Sequence, residues 1–176
     1  MEQVANRRPL ASRQTAWAAA LARGACRIGL TPNAISLIGI GFAAMGAGAM
    51  ILTQQSRWFW LLAALGIQLR LLANMLDGLV AIEGGRKSAA GALYNEFPDR
   101  IEDSVFLAGF GFAAGYLWLG LAAALLAAVT AYVRALGGTL GFPQDFRGPM
   151  AKQQRMAALT LGAGAVQLGT AYLHTA

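Results

Sequence analysis

The chain has 176 residues, of which 57% are hydrophobic and only 12% are charged, and its formal net charge is +6. The length fits one domain, but the composition excludes an ordinary soluble one, because a water-soluble helical bundle needs a polar face on every helix. Two runs, 33–52 and 105–133, contain no charged residue at all. The sequence therefore predicts an all-α, polytopic transmembrane helix bundle.

The N-terminal segment, residues 1–30, is basic, and residues 31–176 are predicted to form the transmembrane domain. The five arginines of the N-terminal segment, together with Pro9, precede the first apolar run, which is not typical of a cleaved signal peptide. Within 12–29, Trp17 and Leu21 alternate with arginines, a pattern typical of a helix lying at the membrane interface. We therefore expect an N-terminal interfacial helix ahead of the first span.

The first two spans are delimited by short polar breaks. Span one follows Pro32 and runs for about 20 residues to near Leu52, long enough to cross about 30 Å of hydrocarbon. After the polar turn 53–57, an aromatic belt begins at Trp58 and span two continues to near Ala81. These two spans are expected to form an antiparallel pair.

The uncharged run 105–133 decides how many further spans there are. As one helix its 29 residues would be about 43 Å long, which exceeds the membrane thickness, and four glycines would weaken it. We predict a break near Gly115, so span three must begin well upstream, near Gly91. Span four then ends near Leu136, and a last helix covers about 152–173. The sequence thus predicts five spans.

Most basic residues lie before, between or just after the predicted spans and do not form one patch. This distribution argues against a nucleic-acid-binding protein. If the segments that carry most of them share one side of the membrane, only Arg57 falls in a loop on the other side. This is the cytoplasmic bias of the positive-inside rule, so we expect a multi-pass protein of a bacterial inner membrane. The residues on the expected cytoplasmic side are Arg7, Arg8, Arg13, Arg23, Arg27, Arg86, Lys87, Arg134, Arg147, Lys152 and Arg155.

Polar residues recur at three- and four-residue steps on spans two and three, on both sides of a short polar loop. Ionisable groups inside a bundle are costly and normally face one another or a wet cavity, so the two faces are predicted to meet. Their carboxylates and amides are oxygen ligands that suit Mg²⁺. The two faces consist of Arg70, Asn74, Asp77, Gly78 and Ala81 on span two, and of Gly91, Asn95, Asp99 and Asp103 on span three.

Simpler interpretations of these residues stay open. Asn95 can be an N-cap with Pro98 in the first helical turn, and Asp99 can merely pair with Arg100 or Arg70. The small residues between the polar ones can serve tight helix packing instead of ligand approach.

The same residues resemble the signature of the CDP-alcohol phosphotransferase family, D-x-x-D-G-x-x-A-R-x8-G-x3-D-x3-D. "TPNAIS" before span one, and "YVRA" and "PMAKQQR" around the loop before the last helix, are also similar to the family. The resemblance covers residues 31–155. The matching register is Asn74, Asp77, Gly78, Ala81, Ile82, Gly91, Asn95 and Asp99.

By this resemblance the chain is an integral membrane enzyme of phospholipid biosynthesis. It would transfer a phosphate-linked alcohol, most simply a phosphatidyl group from CDP-diacylglycerol, to an acceptor hydroxyl and release CMP. The resemblance also implies Mg²⁺ or Mn²⁺, a homodimer and a site open to the cytoplasm. The implied metal ligands are Asn74, Asp77, Asn95 and Asp99, with Asp99 also the general base. The implied substrate-binding residues are Gly78, Ala81, Gly91, Asn33, Arg134, Arg147 and Arg155, although the basic ones fit plain positive-inside anchoring equally well.

Three positions depart from the family pattern, with Asn74 and Asn95 in place of aspartates and Ile82 in place of arginine. An amide oxygen can ligate a cation but brings no charge, so one-ion and two-ion sites both stay open, with a nearby acid as a possible substitute ligand. Only 21 residues follow Arg155, so the chain is either a short variant or stops before the family's sixth span.

Two other functions compete with the enzyme. A catalytically silent relative would keep the pocket as a membrane lipid-nucleotide binding or scaffold protein. A small transporter is disfavoured, because its polar site would lie near the membrane midplane and not near one face.

Overall fold

The computed structural model describes residues 15–83, 91–142 and 151–173, with the backbone alone for 83, 91–95 and 168–173. This part of the chain is entirely helical apart from turns, which confirms the predicted all-α class. The helices are α1 (Ala16–Arg27), α2 (Pro32–Leu52), α3 (Phe59–Glu83), α4 (Gly91–Ala113), α5 (Leu117–Thr139) and α6 (Lys152–Leu173).

The ends of α2 and α4 follow from local chemistry. Thr31 caps α2 by accepting the backbone N–H of Ala34 at 3.2 Å, and Pro32 occupies the first turn, where its missing N–H costs no hydrogen bond. Between α4 and α5, Gly115 has a φ of +78°, which only glycine adopts readily. The predicted break near Gly115 is therefore confirmed. The predicted end of span four near Leu136 is three residues short of the end of α5.

Helix α4 begins at Gly91, as predicted, so Asn95 is the fifth residue of the helix. The alternative in which Asn95 is an N-cap and Pro98 lies in the first turn is wrong. Pro98 instead lies inside α4, where it removes one backbone hydrogen bond of the helix. The polar residues from Asn95 onward are thus carried on a helix, at the four-residue spacing that the sequence predicts.

The helices pack closely through small residues. A Cβ atom added to Gly66 of α3 would lie 2.6 Å from the Cα of Gly46 on α2, so these two helices touch backbone to backbone. The main core joins α2, α3, α4 and α6, and a second cluster joins α1 to α2 and α3. The largest buried side chains of the main core include Met50, Ile67, Phe106 and Met156.

In the described part of the chain, three helices are long and apolar enough to cross a membrane: α2 (21 residues), Phe59–Ile82 of α3 (24 residues) and α5 (23 residues). Large apolar side chains of α5, among them Trp118 and Leu126, are exposed, as expected of a helix that faces lipid. Helix α4 carries five charged residues between Glu96 and Asp103, and α6 begins with Lys152; neither is among these three helices. The chain is a helical membrane bundle, whereas the count of five spans and the interfacial placement of α1 stay predictions.

Candidate functional site

A small polar cavity lies between the N-terminal parts of α2 and α4 and the C-terminal half of α3. Its walls come from three helices, so no single helix forms the site. Small and polar side chains line it together, in contrast to the apolar core elsewhere. The lining residues are Ser36, Gly39, Ala73, Asn74, Asp77, Pro98, Asp99 and Glu102.

Asp77 is buried on α3 and takes its hydrogen bond from another helix. The hydroxyl of Ser36 on α2 donates to Asp77 Oδ2 at 2.9 Å. The same hydroxyl lies 3.1 Å from the backbone carbonyl of Pro32, one turn earlier. Ser36 therefore fixes the orientation of one carboxylate oxygen of Asp77.

Arg70 links α3 to α4 from a fully buried position. Its side chain has no solvent exposure. The guanidinium donates to Asp99 Oδ1 at 2.6 Å and to Glu102, and it lies 4.0 Å from Asp103. A buried guanidinium is tolerated only when it is paired in this way, so Arg70 holds three acids of α4 in one place.

The two oxygens of the Asp99 carboxylate have different surroundings. Oδ1 accepts from Arg70 and, at 2.8 Å, from the amide nitrogen of Asn74, and it is also ion-paired with Lys152 from α6. Oδ2 has Arg100 at 3.7 Å as its ionic neighbour. Oδ1 thus has three close donors, whereas the contact given for Oδ2 is the single, more distant one to Arg100. The alternative in which Asp99 pairs with Arg100 or Arg70 is right about these contacts, but they belong to a larger cluster that also includes Asn74 and Lys152.

Two of the predicted substrate-binding arginines are bonded to acids of α4. Arg155 on α6 donates to Asp103 at 2.6 Å. Arg134 on α5 donates to both carboxylate oxygens of Glu96, at 3.0 and 3.1 Å, and Glu96 also pairs with Arg100. These pairs join α4 to α5 and to α6.

The remaining predicted site residues are not among the described residues that line the cavity. Asn33, Gly78 and Ala81 are half-buried and do not line the cavity. Gly91 and Asn95 belong to α4, but their contacts lie outside the described part, as does Arg147. The structure therefore brings together Asn74, Asp77 and Asp99 of the implied ligand set.

Sequence reasoning missed Ser36 as a site residue and assigned Lys152 only to a basic loop. A signal existed for Ser36, because it is a lone hydroxyl in an uncharged span, and polar groups at such positions usually have a partner. No comparable signal existed for the pairing of Lys152 with Asp99, which depends on how α6 docks against α4.

The donor set fits one divalent cation better than two. Asp77 and Asn74 line the cavity, and carboxylate and amide oxygens are ligands of the kind that Mg²⁺ prefers. Asp99, however, is already neutralised by buried cations of the chain. Among the described residues, no group of three or more acidic, histidine or cysteine side chains is arranged to hold a metal ion.

The fold and the site define a helical membrane protein with a charged cavity near one end of its bundle. No family model matches the chain. It is similar to the phosphatidylinositol phosphate synthases of Mycolicibacterium smegmatis, at 30% identity over 151 residues, and of Mycobacterium marinum, at 34% over 157 residues. Each alignment covers 82% of this chain, but 66% and 62% of the respective relative. The chain thus spans slightly less than two thirds of their length.

Solved structures agree with these relatives. The crystal structure of Mycobacterium tuberculosis phosphatidylinositol phosphate synthase with CDP-DAG bound matches with a TM-score of 0.70 and 25% identity, over 84% of this chain and 75% of that one. The apo form of the same protein matches with a TM-score of 0.61. On these relatives the chain belongs to the CDP-alcohol phosphotransferase family, as its signature predicts. That family generally uses divalent metals.

Proposed function

We propose that the chain transfers a phosphatidyl group from CDP-diacylglycerol to an acceptor hydroxyl and releases CMP, as a step of phospholipid biosynthesis. The observation that carries this proposal is the meeting of Asn74 and Asp77 on α3 with Asp99 on α4 around one cavity. Two carboxylates from different helices line this small polar cavity. They suit a reaction in which one group helps to neutralise phosphate charge while another accepts a proton.

In this reaction the acceptor oxygen attacks the phosphorus that carries the diacylglycerol. The bond from that phosphorus to the bridging oxygen of CMP breaks, and CMP leaves with the electron pair. The acceptor proton passes to Asp99, and Oδ2 is the atom that we assign to this role, because Oδ1 already accepts from Arg70 and Asn74. Ser36 acts as a positioning residue, since it orients Asp77.

A divalent cation, Mg²⁺ or Mn²⁺, would neutralise the diphosphate and so lower the barrier to attack by an oxygen nucleophile. Asp77 and the amide oxygens of Asn74 and Asn95 are the proposed ligands, together with oxygens of the donor. With so few fixed negative charges, metal binding is expected to depend on the donor. The nucleotide end is assigned to Gly78, Ala81 and Gly91 on the family resemblance alone.

The proposed site opens to the cytoplasm of a bacterial inner membrane, and the enzyme is proposed to act as a homodimer among membrane lipids. The charge distribution along the chain supports this orientation. Arg134, Arg147 and Arg155, with Asn33, are proposed to contact substrate. For Arg134 and Arg155 this requires that an anionic group of the substrate share or displace their bonds to Glu96 and Asp103.

A catalytically silent relative is the second candidate. Two observations favour it: three donors already contact Asp99, and Asn74 and Asn95 replace two of the four signature aspartates. Such a protein would bind CDP-diacylglycerol at the same cavity and release no CMP.

The test is to incubate the purified protein with CDP-diacylglycerol, Mg²⁺ or Mn²⁺ and a panel of alcohols, both phosphorylated and neutral, and to follow CMP release. Acceptor-dependent CMP release supports the transferase. Saturable binding of CDP-diacylglycerol without CMP release, over the whole panel, would establish the silent relative instead.

A further inference from the structure

The carboxylates beside the cavity are balanced by cations of the chain itself. Four acids lie there, and three of them, on α4, are ion-paired with cations from α3 and α6. Lys152 Nζ is shielded from solvent although its side chain is 14% exposed, so its charge is directed into the cluster. The acids are Asp77, Asp99, Glu102 and Asp103, and the cations are Arg70, Lys152 and Arg155.

The asparagine at position 74 changes what is needed to stabilise the charge of Asp99. Its amide nitrogen lies 2.8 Å from Asp99 Oδ1. An aspartate at position 74, as in the family signature, would place two carboxylates against each other at this distance. Like charges this close are stable only with a cation between them or with a proton shared by the two carboxylates. With asparagine the same contact is a hydrogen bond, and no bridging metal is required.

We infer that Lys152, Arg70 and the amide of Asn74 replace the second divalent ion of a two-metal site, so that Asp99 is held by donors of the protein and is not a metal ligand. This inference rests on the proposed function for its assignment of the cavity. Its consequence is a site with at most one divalent ion, bound on the side of Asp77.

The arrangement also suits the proposed role of Asp99. A carboxylate that ligates a metal through both oxygens has little capacity left to accept a proton. Here Arg70, Asn74 and Lys152 all contact Oδ1, whereas the neighbour given for Oδ2 is the more distant Arg100 at 3.7 Å, so Oδ2 is the oxygen with capacity left to accept a proton. The exchange of a mobile metal ion for fixed cations thus separates the metal-binding acid, Asp77, from the proton-accepting acid.

The first experiment measures thermal stability in detergent without nucleotide, in EDTA and then with saturating Mn²⁺. The unmodified protein is expected to show no metal-dependent shift. The double variant Asn74→Asp, Lys152→Met adds a carboxylate and removes a cation, so its melting temperature should rise with Mn²⁺ by roughly 5–10 °C, as for a saturating ligand on a chain of this size. The matched control Asn74→Leu, Lys152→Met has similar volume without the carboxylate and should show no shift.

A Mn²⁺-dependent shift of similar size in the unmodified protein that persists in Asp77→Asn would overturn the inference, because the ion would then be bound without the Asp77 carboxylate. The absence of a shift in the folded aspartate variant would overturn it as well. If the aspartate variant does not fold, the number of Mn²⁺ ions bound by the unmodified protein with CDP-diacylglycerol decides the question by electron paramagnetic resonance. At most one ion per chain supports the inference, and two dipole-coupled ions overturn it. Neither readout uses turnover, so a failure to release CMP would contradict the proposed function without affecting this result.

Discussion

Removal of Arg70 should destabilise the whole bundle, because this side chain joins α3 to three acids of α4 from a fully buried position. Arg70→Met keeps the length of the side chain but deletes its charge. Two charge-assisted hydrogen bonds are lost, to Asp99 and Glu102, each worth about 1.5–3 kcal/mol. The cost of leaving buried acids without their partner is about 3–5 kcal/mol in comparable cases, in agreement with that sum.

The measurement is reversible unfolding of the purified protein in mixed micelles, by circular dichroism against increasing SDS. Arg70→Lys restores the charge without the planar fork and should recover about half of the loss. Arg57→Met is a matched control, because Arg57 lies over the ring of Trp58, 5.4 Å from its centroid, and has no ion pair within the described residues; it should cost about 1 kcal/mol or less. If Arg70→Met is as stable as the control, the buried cluster does not hold α3 and α4 together.

Three further predictions concern the site. Asp77→Asn should weaken binding of metal and CDP-diacylglycerol together, whereas Asp99→Asn should spare binding and lower CMP release on the order of 100-fold or more; equal loss of binding in both would make Asp99 a ligand. Gly39→Ala should cost about 1–3 kcal/mol of stability, measured by unfolding, because its Cβ would lie 3.0 Å from Glu102 Oε1; a variant as stable as the unmodified protein would mean that this contact is not tight. A cysteine introduced by Glu83→Cys should not react with an impermeant thiol reagent added outside intact cells, because position 83 is predicted to face the cytoplasm. Labelling of this cysteine from outside would contradict the proposed orientation.

The helices that carry the site could be predicted because their lengths are constrained by the membrane. The uncharged run 105–133 is too long for one span and too short for two, so α4 had to extend upstream to Gly91 and bring Asp99 with it. The glycine turn at Gly115 followed from the same argument. Periodicity then placed the polar residues on facing helices, since side chains four residues apart share one face.

The contacts within the site could not be predicted, since they depend on how the helices rotate and tilt against each other. Ser36 and Asp77 are 41 positions apart in sequence, and no local pattern indicates that the hydroxyl reaches that carboxylate. The docking of α6 brings Lys152 to Asp99 in the same way. The N-cap interpretation of Asn95 was wrong because it treated Pro98 as a helix start, whereas tertiary packing keeps this proline inside α4.

The measurement that tests the central claim most directly is CMP release from CDP-diacylglycerol by the unmodified protein, beside the Asn74→Asp, Asn95→Asp double variant and Asp99→Asn. The account predicts that the unmodified protein releases CMP in the presence of Mg²⁺ and an acceptor, and that Asp99→Asn abolishes this release while CDP-diacylglycerol still binds. Release of CMP by the double variant alone, with none from the unmodified protein, would contradict it, because the asparagines would then have left a binding protein in place of an enzyme.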